Sequence, residues 1–355
     1  MQPSPRTFRY NARVVSLAIP FLAIIFALLI GAVLIAFAGI NPWEAYSYMI
    51  KGAFGNLYGF GETLTRFIPL LFCGLSFSFA YKVGLSNVGA EGQLYMGALG
   101  AVLAGVYIQG LPSYLHFFIV LLSGFVAGAI WCSIAGLLKV KLGSNELINT
   151  MMLNYIATLF IELLLKGVLK DPGTMNDQSQ LIRETARLPY ILPGTRLHFG
   201  FFIALLAAYI VYYIMWRTPY GYQLRTIGSN RGAASYAGMN IGAGMMMAFI
   251  IAGGLAGLGG AVELMGSQHR LMLGFSPGYG FDGIGAAVMG RHNPWGIVLT
   301  SLLFAVIRVG AGAMQRGMGV PLPLLSVIQG LVIIMVISSY YLTNKLSATV
   351  IGGRA

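Results

Sequence analysis

The chain has 355 residues, 57% of them hydrophobic and 9% charged, with a formal net charge of +12 and a mean hydropathy of +0.77. This balance excludes an ordinary soluble domain and describes an all-α integral membrane protein: apolar runs of about 20 residues cross a hydrocarbon core as helices, and a β-barrel would show short alternating segments instead. The Lys and Arg residues are spread over many loops and form no single basic face, so their excess points to membrane lipids and not to nucleic acid as a partner.

In chain order, residues 1–13 form a basic tail with Arg6, Arg9 and Arg13, and the apolar run behind it is too long for a secretory leader. We read that run as an uncleaved first span. Ten runs are predicted as helical spans, at about 14–39, 63–81, 92–109, 116–138, 147–169, 199–216, 242–262, 279–290, 294–313 and 323–342. The eighth is too short to cross alone, so the ten include short or broken segments. Residues 170–196, rich in turn formers and charge, are predicted as an extramembrane loop, and residues 343–355 as a C-terminal tail.

The basic N-terminal tail, set against a first loop over 40–62 that holds only Lys51, places the N-terminus inside. Ten spans then bring both termini to the cytosol and the 170–196 loop outside. Five spans on each side of that loop make a single domain over 14–342 of two pseudo-symmetric halves, about 14–169 and 199–342, with opposite orientation. Small residues recur within the spans, as in AGMMMAFIIAGGLAGLGGA, and signal close helix packing.

Absences narrow the chemistry. No Gly-Lys dipeptide occurs, hence no phosphate-binding GxxxxGK[ST] loop, and HExxH and CxxC are missing. Cys73 and Cys132 lie inside apolar runs and read as buried thiols. The four histidines are scattered, so neither a metal site nor a cofactor is expected and the chain is not read as an enzyme.

Two segments stand out. KVGLSNVGAEGQLYMGA, residues 82–98, puts Lys82, Asn87, Glu91 and Gln93 beside hydrocarbon, where an unpaired charge costs about 2.5–3.5 kcal/mol. Together with Gly84, Gly89 and Gly92 it reads either as a broken helix lining a cavity or as a cytosolic turn with Glu91 in the first turn of the next helix. GYGFDGIGAAVMG, residues 278–290, holds the matching rank in the second half, and the two segments are expected to face each other or one pathway. The other is QLRTIGSNRGAASYAGMNI, residues 223–241, in which Asn230 N-caps a short helix terminated by Gly238. It reads as an amphipathic connector or as a helix shaped to dock on a cytosolic partner.

NVGAEGQLYMGA, SNELINTMMLNYIA, IGSNRGAASYAGMNI and GYGFDGIGAAVMGRHNPWGIVLTSLLFA together resemble the permease subunits of bacterial ABC importers for nucleosides and simple sugars, over about residues 60–340. The QSQLIRETARLP run of the long loop is more like the nucleoside (guanosine-type) branch. The resemblance implies a chain in the bacterial cytoplasmic membrane that works with a cytosolic ATP-binding subunit, a second paralogous permease and an extracytoplasmic binding protein or lipoprotein. It makes 223–241 the coupling region, with Gly228, Asn230, Ala234 and Gly238 contacting the ATPase. It also implies a substrate pathway in which Asn87, Glu91, Gln93, Asn154 and Asp282 offer hydrogen bonds while Tyr95, Tyr155 and Phe281 offer stacking faces. A simple-sugar permease is the alternative. An ion-coupled transporter using Glu91 or Asp282, and a membrane enzyme using the same carboxylates, are the rivals from other classes.

Overall fold

A computed structural model describes residues 22–352. The predicted tail 1–13, the start of the first span and residues 353–355 lie outside the described residues. Among the described residues the structure is helical, with two isolated β-bridges. Every one of the ten apolar runs is helical: α1 (Leu22–Phe37), α3 (Leu57–Tyr81), α4 (Ala90–Tyr107), α5 (Ser113–Leu142), α6 (Glu146–Lys166), α7 (Gly200–Arg217), α10 (Ile241–Glu263), α11 (Tyr279–Met289), α12 (Pro294–Met318) and α13 (Leu322–Gly352). Six described helices are long and apolar enough to cross a membrane, or seven if α1 and α2 (Pro42–Phe54), bent by 118° at their junction, form one span.

The chain packs as two compact units, Leu57–Val306 and the flanking segments up to Asn56 and from Ile307. Packing thus divides the chain at 56/57 and 306/307 and not within the 170–196 loop. The flanking unit gathers Ile35, Ala45, Met314, Val320, Leu325 and Ile328 into one core. Its α2 falls where the sequence predicted only loop. Asn41 accepts a hydrogen bond from the Trp43 N–H at 3.0 Å and Pro42 occupies the first turn, a helix start that was legible in NPWE.

The larger unit is built around α10. This helix packs on α3, α4 and α5, and the packing is set by backbones, not by side-chain ridges. A Cβ on Gly97 would overlap the backbone of Gly257, one on Gly128 that of Gly253, and one on Gly260 the carbonyl of Leu94. In lipid, where helices gain nothing from leaving water, such close approach supplies the dispersion contact that holds spans together. Helix α3 carries Pro69 in its interior and is buried along almost its whole apolar length. Helix α10 ends in a π-helical turn, Leu264–Gln268.

Residues 170–196 contain a single 3-10 turn, Glu184–Ala186, and lie tightly on the helix ends. The Ile182 N–H donates to the His269 carbonyl at 2.9 Å, Arg183 to Gly105 at 3.0 Å and Leu188 to Met265 at 3.0 Å, while Ile182, Ala186 and Leu188 are buried. The segment is therefore a packed cap over α4 and the π turn.

The backbone contacts predict a contrast between two glycines. Gly257→Val forces side-chain volume into the α4–α5–α10 junction and should destabilise the detergent-solubilised protein by about 1–3 kcal/mol or more. Gly330→Ala meets nothing within 4 Å and should lie within about 0.5 kcal/mol of wild type. Equilibrium unfolding in mixed micelles measures both.

Candidate functional site: two broken helices joined at their starts

Helices α4 and α11 both begin after a break that follows a long buried helix, α3 or α10. Each broken helix lacks partners for its first-turn N–H groups, which at membrane depth must be satisfied by protein. For α4 the donors are met from α6. The Gly92 N–H donates to Asn154 Oδ1 at 2.8 Å and the Val88 N–H to Thr150 Oγ1 at 3.2 Å, while Asn154 Nδ2 donates to the Val88 carbonyl at 2.9 Å. Asn87 and Gln93 exchange amide hydrogen bonds at 2.8 and 3.0 Å, and Asn87 Oδ1 also accepts from the Gly89 N–H.

For α11 the acceptor comes from α4. Glu91, 7% exposed, accepts from the Gly280 N–H at 2.6 Å through Oε2. Gly280 permits this approach because a Cβ there would collide with the backbone of Glu91. A carboxylate at a helix N-terminus meets both an open donor and the positive end of the helix dipole. Ser276 Oγ accepts from the Tyr279 N–H at 3.1 Å, and the Ser276 N–H donates to the Tyr95 hydroxyl at 3.2 Å. The segments 82–98 and 278–290 therefore meet directly, and Glu91 is buried between them.

This geometry gives several of the expected pathway residues partners within the protein. Asn87, Gln93 and Asn154 are buried, and their amide groups are committed to the protein, including Gln93 Nε2 to Cys132 Sγ at 3.1 Å. In this conformation they hold the broken turns instead of presenting polar groups to a ligand. Tyr95 is also buried, with its ring edge on Phe275 and its hydroxyl at Ser276, so no stacking face is open. Tyr155 and Phe281 are exposed, at 57% and 47%. Tyr155 is adjacent to Asn154 but points away from the α4 junction. Asp282 lies in the first turn of α11 and is partly buried.

Sequence reasoning passed over a second polar cluster at the start of α11. Arg66 pairs with Glu62 at 2.8 Å, one turn before it on α3. It also donates to the Tyr279 hydroxyl and lies within electrostatic reach of Glu263. Gln268, in the π turn, donates to Glu263 Oε1 at 3.4 Å and to the Phe275 carbonyl at 2.9 Å. The signal was present: ionisable residues inside apolar runs mark functional or paired positions, and Glu62, Arg66 and Glu263 all fall at the ends of such runs.

In the 223–241 segment, α8 (Pro219–Ser229) and α9 (Arg231–Tyr236) meet at Asn230, whose Oδ1 accepts from the Ala233 N–H at 3.0 Å. Gly238, at φ 75°, ends α9 as the N-cap spacing predicted. Asn230 and Gly238 are exposed. Gly228 is half-buried and Ala234 buried, so of the four expected contact positions these two are not on the exposed surface. Ala234 is fully buried on the small-residue face of α9, and Gly228, on α8, lies against the backbone of residues 82–84. The exposed surface is made by Arg231, Gly232, Ser235 and Tyr236, the last 97% exposed. Arg231 also donates to the Gly84 carbonyl at 3.4 Å. The 223–241 segment thus touches the loop that leads into Glu91.

Comparison with known proteins completes the picture. Residues 59–337 match the family described as the branched-chain amino acid transport system permease component. The guanosine ABC transporter permease NupP of Bacillus subtilis is 36% identical, over 92% of this chain and 95% of that one. The glucose ABC transporter permease TsgB13 of Haloferax volcanii is 35% identical, over 91% and 87%. The nucleoside ABC transporter permease NupB of Lactococcus lactis is 32% identical, over 92% of each. A multi-pass helical chain with this family match and full-length relatives belongs to the ABC-transporter permease family, as the membrane-spanning subunit of an importer.

Proposed function

We propose that this permease carries nucleosides inward across a bacterial cytoplasmic membrane, with both termini cytosolic. It does so together with a cytosolic ATP-binding subunit, a second paralogous permease and an extracytoplasmic binding protein or lipoprotein. The observation that carries the substrate class is its full-length similarity to permeases named for guanosine and for nucleosides. The paralogous pair is supported by a further, more distant relative, the guanosine permease NupQ of the same Bacillus, 25% identical over 68% of this chain. The comparable similarity to a glucose permease favours a sugar as the second reading.

The mechanism is alternating access. Arg231, Ser235 and Tyr236 offer the contact surface for the ATPase, and Asn230 and Gly238 fix its shape. Movement of α8–α9 reaches the loop before α4 through Gly228 against Gly84 and through Arg231 on the Gly84 carbonyl, only seven positions from Glu91. Glu91 ties that loop to α11, so both broken helices respond together. Phe281, Tyr155 and Asp282 are the pathway positions with surface to offer a nucleoside; Asn87, Gln93, Asn154 and Tyr95 support the walls.

Three outcomes test this reading. Reconstituted with its partner subunits, the permease should take up labelled guanosine, adenosine or uridine with ATP. ATP-dependent uptake of glucose or ribose alone would refute the nucleoside assignment and leave the importer. Tyr236→Ala, at an exposed position, should leave folding within about 0.5 kcal/mol of wild type yet lower uptake and substrate-stimulated ATP hydrolysis about tenfold. Gly238→Trp should do the same with added strain from its positive φ. Normal ATPase stimulation in Tyr236→Ala would remove the coupling surface. Glu91→Ala discards a charge-assisted bond worth about 1.5–3 kcal/mol and should cut uptake at least tenfold at equal membrane insertion. Glu91→Gln, which keeps an acceptor, should lose less.

A further inference from the structure

Helices α8 and α10 present matching faces to a shared groove. Helix α8 offers Tyr220, Gln223, Leu224 and Ile227, which recur at i, i+3, i+4 and i+7 and so lie on one helical face. Helix α10 answers with the same spacing from its N-cap: Asn240, Ala243, Gly244 and Met247. Asn240 Oδ1 accepts from the Ala243 N–H at 2.9 Å, which fixes where that second face begins. The helices touch at the floor, where Leu224 and Ile227 are buried and a Cβ on Gly244 would stand 2.5 Å from Ile227 Cδ1. Above that contact the groove is open: Gln223, Asn240 and Ala243 are exposed, and Met247 is 42% exposed.

The groove encloses about 180 Å³, comparable with the ~150 Å³ apolar cavity that accepts benzene. It therefore has room for one aromatic or branched aliphatic side chain. Met239 and Met247 adapt their shape to whatever enters. The exposed amides of Gln223 and Asn240 at the rim suit the polar border of a protein interface, and an acyl chain would offer them no hydrogen bond. The charge of the region narrows the occupant further. Arg217, Arg225 and Arg231 fall within 15 positions, and no Asp or Glu occurs between Glu184 and Glu263. A partner seated here meets a cationic field, which favours carboxylates around its apolar anchor and disfavours the chain's own basic tail with Arg6, Arg9 and Arg13. The groove is also continuous with the surface of α9, because Met239 directly follows Gly238 and Ile227 directly precedes Gly228.

We propose that this groove receives an apolar anchor side chain of the ATP-binding subunit, flanked there by carboxylates. The permease is then held through a pocket of its own as well as through the outer face of α9. The inference rests on the coupling role proposed for α8–α9 and adds to it a second, separately testable contact.

The full-length permease assembled with its ATP-binding subunit and second permease in lipid nanodiscs provides the test. Ala243→Trp fills the groove and should weaken retention of the ATP-binding subunit about tenfold, the loss expected of an interface anchor. It should leave the unfolding temperature of the isolated permease within about 2 °C of wild type, as substitutions at exposed positions do. Both native cysteines are fully buried, so Gln223→Cys supplies an accessible thiol at the rim for a benzophenone maleimide. Its photoadduct should fall on a peptide of the ATP-binding subunit that carries Asp or Glu. Should Ala243→Trp unfold early, this adduct decides alone. Wild-type retention in Ala243→Trp, or an adduct on lipid or on the second permease without one on the ATP-binding subunit, would overturn the proposal. Wild-type retention in Ala243→Trp with lowered ATPase stimulation in Tyr236→Ala removes the groove and leaves the coupling surface; normal behaviour in both removes the coupling reading as well.

Discussion

A helix that begins inside a packed protein exposes first-turn N–H groups where no water can reach them, and α4 and α11 both have such a start, around the buried Asn87, Glu91 and Gln93. The hydrogen bond from Gly280 to Glu91 at 2.6 Å answers one of them with a carboxylate delivered by the helix that begins at the other. The cost of placing Glu91 among apolar helices and the cost of interrupting α11 are thereby reduced by a single contact. The glycine at position 280 follows from this, since only a residue without Cβ lets the Glu91 backbone come so close. Asn154 performs the equivalent task for α4, and the reciprocal Asn87–Gln93 pair holds the turn that aims Glu91.

Close backbone packing is what keeps these starts together. The Gly97–Gly257 and Gly128–Gly253 approaches lock α4, α5 and α10 into one block, and α11 joins it on the α3 side where Gly283 meets Cys73. A long buried helix, a break and a short helix occur twice, and each short helix packs on the other copy's long one. The exchange joins the segment around Glu91 to the segment around Gly280 through two pairs of packed helices, α4 on α10 and α11 on α3. Small residues in these spans therefore serve two ends, dispersion contact between backbones and room for polar side chains at the junction.

Much of this was legible in the sequence. The apolar runs are helical over their described residues, the longer ones because twenty-residue hydrophobicity leaves few alternatives in lipid, and Asn230 and Gly238 bound α9 because capping chemistry is local. The meeting of 82–98 with 278–290 followed from polar and glycine content at matching rank. Helix α2 was overlooked because its moderate apolarity resembles a loop, although Asn41 and Pro42 announced it. The roles of Asn87, Gln93 and Asn154 were not legible. An amide in an apolar run signals that something needs a hydrogen bond, but only the fold reveals that the claimant is a neighbouring backbone. Likewise, the resemblance made Ala234 and Gly228 contact positions, and small residues suit both an outer groove and an inner contact, so their burial was not legible before the fold. The grouping of Glu62 and Arg66 with Glu263 needed tertiary proximity across some two hundred positions.

The contacts also constrain how a pull or push at α8–α9 can travel. Gly228 meets the 82–84 backbone by van der Waals contact, which transmits compression and resists no tension. The tether in the other direction is the Arg231 bond to the Gly84 carbonyl, long at 3.4 Å and exposed, worth about 1 kcal/mol at most in water. Beyond Gly84 the chain enters the Asn87–Gln93–Asn154 network and the Glu91 bond. Rupture there would strand a carboxylate and several N–H groups in a dry interior at about 3–5 kcal/mol. Under the coupling proposed for α8–α9, their inward displacement would therefore drive the two broken helices as one body. The reverse stroke depends on their own relaxation, because the tether would part before the Glu91–Gly280 junction does.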